Sequence, residues 1–493
     1  MTKKNIIQFG SLWFLVIVFA FASSGSLLAE TSASDRVIRN QPGWPTTFEL
    51  NIGDSYTLRR NIDGKTIERV VKLISVTEYW EPDYWIKNNP KRRTLRKAEV
   101  VVDVSGVKAT LLARPYQMPA VVNGLRLYVE ATHRWATETR LGKIRGMNSD
   151  VRLSAVARGE GWGPSDMLFP LRDYRWRSSS YYNTWSSLVP YNVFYYHRGE
   201  DFGAIPDRLP VIAILPGKII STPLPGGNRK SNGVTVETAS GFRFRCAHMN
   251  IETFDRTLTA GTQVRAGQMI AKTGMTWDGR KSQYHDPHLH IGFHFGRTTI
   301  STYPFLIEAY LRMYDDDIMA VAGAYHFTVP GEPVELDGSR SVSRPGRKIT
   351  EYEWHLHNGK IVKEPQLRLT YDKPGLYCEE LIVRTDNGSE DRDFAQVRVY
   401  DPKQGRNIAS GWIHYAPARG IRPGTKVLFW NRMGKTSGRV TIDFGDGTPA
   451  ETIGKEIRHS YSRPGIYTVT LRATGPRKEL ATLKTRVVVE KMK

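Results

Sequence analysis

Residues 287–295 read Pro-His-Leu-His-Ile-Gly-Phe-His-Phe. Leu289, Ile291, Phe293 and Phe295 recur at every second position, the pattern of a strand with one apolar face. Residues two apart on a strand point the same way, so His288 and His290 present both imidazoles on one face while Leu289 turns into a core. A chain that must place paired imidazoles on a half-buried strand is built around a β-sheet carrying a polar site. A second alternating run, Phe242 to His248, ends on another imidazole. Period two puts Phe242, Phe244, Cys246 and His248 on a shared face, which predicts Cys246 near the site. His197 and Asp201 stand four apart in a segment where Gly199 and Gly203 permit a tight turn.

The chain has 12 His in 493 residues, so a cluster at 285, 288, 290 and 294 is not the product of composition. Imidazoles and a carboxylate in this number suit a mononuclear zinc hydrolase, which needs three protein ligands, an open position and groups to move protons. His285, which precedes Asp286-Pro287, and His294, read as falling off the period of the pair, are expected to be structural or supporting. There is no His-Glu-x-x-His and no Gly-x-Ser-x-Gly, so the helix-borne zinc protease and the serine-elbow hydrolase patterns are excluded.

The segment from about 192 to 296 resembles the lysostaphin-type zinc endopeptidases. The resemblance rests on His197-Arg198-Gly199-Glu200-Asp201, on Ala247-His248, on Pro287-His288-Leu289-His290-Ile291, and on the intervening run 261–274, similar to that family's G-x-x-V-x-x-G-Q-x-I-x-x-x-G hairpin. It implies one Zn2+ per chain, held by His197, Asp201 and His290, with His248 and His288 as the catalytic pair. It also implies peptidoglycan cross-link peptides as substrate, with glycine-rich proteins as the alternative. Two departures stand out. Cys246 replaces an aromatic residue two before the lone His, and residues 275–286 form a longer polar insert with Trp277, Arg280, Lys281 and Tyr284, a groove rim or a solvated loop. Tyr191 is a candidate phenol for the site. Rival readings are a non-catalytic scaffold of the same fold that regulates wall hydrolases, and a surface-binding protein whose C-terminal modules do the work.

Length suggests about three or four domains. Lys3 and Lys4, an apolar stretch from Leu12 to Ala22, and small residues up to Ala29 predict a signal peptide over 1–29, with Ala33 the alternative cleavage point. The expected location is secreted, periplasmic or cell-envelope associated, with no membrane span in the mature chain. Cys246 and Cys378 fall in different predicted domains, so no disulfide is expected.

The predicted fold class is mainly β. Residues 35–180 form a β-rich accessory domain, with alternating runs at 99–104 and 125–129, a hairpin tip at 61–64, and a basic run, 91–97, expected as a solvated loop. Residues 175–196, rich in Ser, Tyr and Trp, read as a connecting segment that enters the site's rim. The central antiparallel peptidase domain spans 185–318 and closes on an amphipathic helix, 304–314, before a linker opening with Asp315. Two units follow, at 321–401 and 402–493. The second carries Asp443-Phe444-Gly445-Asp446-Gly447 and Pro464-Gly465 turns ahead of strict alternation, and resembles a PKD domain, an immunoglobulin-like β-sandwich; the first is a weaker copy, with His357-Asn358-Gly359 at the corresponding hairpin. The aspartates are expected to form turns rather than bind calcium.

Charge is unevenly spread. The net charge is +21, and residues 402–493 hold 18 Lys and Arg against 6 Asp and Glu, while 321–401 hold 11 against 14. A small module this basic is a candidate for an anionic cell-surface polymer. Nucleic acid is the weakest of such partners, because no base-stacking or groove-reading motif is present.

Overall fold

The computed structural model describes residues 37–491, apart from 63, 83–92, 138–146, 191–193, 225–232, 277–285, 297, 324, 402 and 404–407. The predicted signal peptide, Tyr191, His285 and most of the polar insert lie outside the described residues. Strands dominate, and among the described residues no helix is long and apolar enough to cross a membrane.

The N-terminal part folds as two antiparallel sheets. Ser55–Ile62, Lys65–Pro82, Arg93–Val104 and Val107–Ala113 form a four-stranded meander, and Val37–Arg39, Thr46–Leu50, Val151–Ala157, Leu125–Thr132 and Ala120–Val122 form a second sheet. Alternation makes the core: Ala98, Val100, Val102 and Val104 are buried on one face of their strand and meet Phe48, Leu127 and Leu153 from the other sheet. Each fully buried Val, Leu or Phe side chain here contributes ~1.5–3 kcal/mol. The expected hairpin forms, pairing Asn61 with Thr66 and Ile62 with Lys65. The basic run is not a loop where it is described. Residues 93–97 belong to the strand Arg93–Val104, and Arg96 pairs with Glu81 at 2.7 Å. A strand with one buried face tolerates cations on the other.

The central sheet runs in the order Tyr182–Asn183, Glu200–Gly203, His288–Phe295, Phe242–Ala247, Gly233–Glu237, Gly217–Ser221 and Gln263–Val264, every neighbour antiparallel. The two strands of the Gly261–Gly274 run go to different sheets. Gln263–Val264 extends the central one, while Met269–Lys272 pairs with Pro210–Ile212. The helix Tyr303–Tyr314, with Pro304 at its start, packs Phe305, Leu306, Ile307 and Tyr310 onto the sheet's apolar face and ends at Asp315 in a left-handed conformation.

The connecting segment before the site is a core element, not a loose link. Trp176, Tyr182 and Trp185 are buried, and the stretch lacks a period because it threads between packed bodies and buries side chains in every direction.

The two C-terminal units are β-sandwiches with separate cores, one around Trp354, Leu336 and Val383 and the other around Ile442, Phe444 and Leu483. They share a nine-stranded sheet through a short parallel contact, Gly375 beside Leu480 and Leu376 beside Ala481. The Asp443 and Asp446 carboxylates accept the backbone N–H groups of Gly445 and Thr448, as turn-forming aspartates do. Cys246 and Cys378 are both buried and unpaired, as expected.

Candidate metal centre

The strand His288–Phe295 carries the site. Leu289, Ile291 and Phe293 are fully buried in the main core, and the opposite face holds the histidines. Ladder register brings in the neighbours: Asp201 stands opposite His290 on one side and Ala247 opposite it on the other. His197 is fixed by its backbone, which donates to Ser187 O at 2.9 Å and accepts from Ser186 N–H at 2.9 Å. Gly199 lets this turn lie against the strand, since a Cβ there would stand 2.4 Å from Ile291 O and 2.8 Å from the His290 ring.

Three donor atoms converge. His290 Nδ1 lies 2.8 Å from Asp201 Oδ1, His197 Nε2 lies 3.1 Å from the same oxygen, and the two ring nitrogens are 3.1 Å apart. Tetrahedral zinc with ligands at about 2.0–2.1 Å sets its ligands roughly 3.3 Å from one another. The three side chains therefore fit one such ion with small outward shifts, and two neutral imidazoles with one carboxylate are a suitable donor set. Burial pushes the Asp201 carboxyl up, but the His197 and His288 rings beside it and hydrogen bonds from His197 and His290 outweigh it and hold the carboxyl well below its ordinary range. Burial lowers His290, beyond what Asp201 restores, which favours the neutral ring that a metal requires.

His248 and His288 lie beside this cluster, their rings 4.6 Å apart, and His288 Nε2 is 3.6 Å from Asp201 Oδ1. Each directs Nδ1 at a backbone carbonyl, His248 at Thr276 O (2.5 Å) and His288 at Asp286 O (2.6 Å). A carbonyl only accepts, so both rings carry their proton on Nδ1 and keep Nε2 as the basic nitrogen.

Two expectations are corrected. Cys246 does not face the site. It pairs with Ile291, is fully buried in the core, and burial there pushes its thiol up to about 12. The shared-face expectation fails because the strand stops at Ala247 and His248 adopts a left-handed backbone, φ 68°, which carries its ring round to the histidine face. His294 is on the period of His288 and His290, one step beyond Gly292, and its Nδ1 lies 3.3 Å from Thr299 Oγ1. Burial, then Arg198 and Arg245, lower it to about 4, so it stays neutral and supporting.

The structure adds residues that motif spacing did not reveal. Asn183 Nδ2 donates to Asp201 Oδ2 at 2.8 Å and the Tyr181 hydroxyl donates to the same oxygen at 3.3 Å, so both orient the carboxylate. Glu200, next in chain to Asp201, turns the other way. It accepts from Tyr182 OH, Trp185 N–H and Thr302 Oγ1, and burial raises it to about 7.

Residues 195–302 match peptidase family M23, and residues 318–399 and 412–489 each match a PKD domain. Among solved structures, a Ruminococcus gnavus protein described as a candidate glycyl-glycine endopeptidase, lytM, is 22% identical, over 29% of this chain and 61% of that one, with a TM-score of 0.22. A zinc-containing peptidase from Vibrio cholerae is 16% identical, over 50% of this chain and 57% of that one, TM-score 0.22. The fibronectin(III)-like modules of Clostridium thermocellum CbhA are 13% identical, over 35% of this chain and 94% of theirs, TM-score 0.14. The chain spans about three fifths of the length of the two peptidase structures. The chain thus carries a lysostaphin-type peptidase family M23 domain at its centre, followed by two PKD domains.

Proposed function

We propose that the protein is a secreted zinc metalloendopeptidase that hydrolyses peptide bonds in the cross-links of peptidoglycan. The observation that carries this reading is the convergence of His197, Asp201 and His290 with the His248–His288 pair beside them. When bound, zinc supplies a Lewis acid and a water of lowered pKa. The remaining work belongs to the chain. Asn183 and Tyr181 hold Asp201 in place through its second oxygen. His248 and His288 offer basic Nε2 atoms, one to accept the attacking water's proton and the other to stabilise the oxyanion or protonate the leaving amine.

The basic second PKD module supports a further part of the reading, retention on an anionic cell-surface polymer by its excess of 12 positive charges. The test is incubation of the purified mature chain with isolated peptidoglycan, with and without chelator, and mass spectrometry of released fragments. Chelator-sensitive cuts in peptide bridges are expected. Intact peptidoglycan together with a zinc-free protein would support the scaffold reading instead.

A further inference from the structure

The segment that holds Asp201 is itself held by the second PKD module. Residues 178–180 pair with strand Ile413–Ala416 of that module: Ser180 N–H donates to Ile413 O at 2.9 Å, Tyr415 N–H to Ser178 O at 3.2 Å, and Ile413 N–H to Ser180 Oγ at 2.9 Å. A bridge between Ser179 and His414 completes the pairing. The next residues along, Tyr181 and Asn183, are those that hydrogen-bond Asp201 Oδ2.

Trp412, the first residue of the second PKD match, continues this contact with its side chain. Its ring meets Tyr181 edge-on at 4.9 Å, and Tyr181 in turn lies 4.8 Å from the His288 ring. Tyr181 thus stands between Trp412 and His288, whose Nδ1 is fixed by the backbone carbonyl of Asp286. Behind Trp412, Arg398 of the first PKD module stacks at 5.1 Å, and Tyr325 at 5.2 Å. Trp412 is 8% exposed, so it is a packed element and not a surface ring. A second patch of the module, Leu428 and Trp430, packs on Ile205 and Met275 of the peptidase domain.

We propose that the second PKD module is a structural component of the active site, and that Trp412 is a positioning residue that sets both the Asp201 carboxylate and the His288 ring through Tyr181. The module's strand and Trp412 reach both halves of the site, the ligand side and the proton-transfer side. A tethered binding module would need neither contact. The inference rests on the reading of His197, Asp201 and His290 as the zinc ligands.

The test is a double-variant cycle on the full chain loaded with zinc, read as the rate of zinc release to a chromophoric chelator and the thermal midpoint. Loss of a partner that orients a metal ligand typically costs about 10–100-fold in metal affinity or activity. Trp412→Ala is expected to speed zinc release by about that factor, and Tyr181→Phe likewise. Combined, the two should release zinc no faster than the quicker single variant, because they act along one path. Ile442→Ala, in the core of the same module and away from the contact, should lower the midpoint and leave zinc release unchanged. If Trp412→Ala does not fold, Trp412→Phe takes its place in the cycle, with a smaller acceleration. Wild-type release rates in the Trp412 variants, multiplying effects of the two substitutions, or equal acceleration by Ile442→Ala would each overturn the inference. A wild-type chain that binds no zinc would instead overturn the ligand assignment, and this inference with it.

Discussion

The rings of His248 and His288 stand 4.6 Å apart, and each is locked by a backbone carbonyl on its Nδ1, Thr276 O for one and Asp286 O for the other. Neither ring is among the three groups whose donor atoms converge on the candidate metal position. Replacing either with Ala should therefore leave zinc at about one per chain and lower turnover by roughly 10²–10⁴-fold, the usual contribution of a positioned proton-transfer group. Metal analysis beside kcat on a cross-link peptide checks both halves. Loss of zinc from His248→Ala would remove it from the catalytic pair.

Asp201→Ala and His290→Ala should behave in the opposite way, losing zinc first and activity as a consequence. Zinc binds the folded site and stabilises it, by about 2.7 kcal/mol when free zinc is a hundred times its Kd. Chelated wild type and either variant should thus share one lowered thermal midpoint, and added zinc should restore only the wild type. A variant whose midpoint still rises with zinc would count against these ligands.

Much of this site could be read from spacing, because period two fixes which residues of His288–Phe295 share a face. What escaped was irregular. The left-handed turn at His248 breaks the alternation that would join it to Cys246, and the mild preference of histidine for that conformation is too weak to place such a turn from sequence. Tyr181 and Asn183 sit in a stretch without a period, where only tertiary packing decides which side chain meets Asp201. The sandwich units were legible from their turns. Their fusion through Gly375 and Leu480 was not, since a short parallel contact between distant strands leaves no local pattern.

The thiols offer a check on that corrected geometry. Burial pushes both Cys246 and Cys378 up to about 12, so neither is a thiolate at neutral pH. In the folded protein neither should react with a disulfide reagent over hours, and both should react at once in denaturant. Rapid labelling of Cys246 in the native chain would place it at the site after all.

Acid should loosen the joint between the second PKD module and the catalytic domain. Arg419 forms a two-pronged pair with Asp316, at 2.5 and 3.2 Å, just past the end of the helix Tyr303–Tyr314. Burial raises the Asp316 carboxyl, but the hydrogen bond and charge of Arg419, with Arg175 and Tyr310, outweigh it and hold it below its ordinary value. A depressed carboxyl stabilises the fold fully above its unfolded value, about 3.9, and loses that contribution as pH falls through the folded one. Asp316→Asn should cost roughly 1.5–3 kcal/mol at pH 7, the range for a hydrogen bond to a charged group. The gap between variant and wild type should close as pH is lowered below the unfolded value. Thermal midpoints taken down a pH series measure it, and a constant gap would assign the cost to packing.

Gly199 gives the sharpest geometric test, because the structure leaves no room beside it. An alanine Cβ would stand 2.4 Å from Ile291 O and 2.8 Å from His290 Cε1, so either the strand or the ligand ring must move. The His290 ring can swing aside, but Ile291 O belongs to a strand anchored by the buried Leu289, Ile291 and Phe293, so the turn at Gly199 must also draw back from it. Gly199→Ala should therefore displace His290 from Asp201, costing ~1–3 kcal/mol of stability for the overpacking and weakening zinc retention. Gly292→Ala is the matched control. It lies on the same face as His290, yet its Cβ would meet nothing nearer than Arg198 O at 3.4 Å, an ordinary contact. Zinc retained through dialysis against a weak chelator should fall for Gly199→Ala and hold for Gly292→Ala. Equal retention in both would mean that the turn at Gly199 draws back without disturbing the ligands.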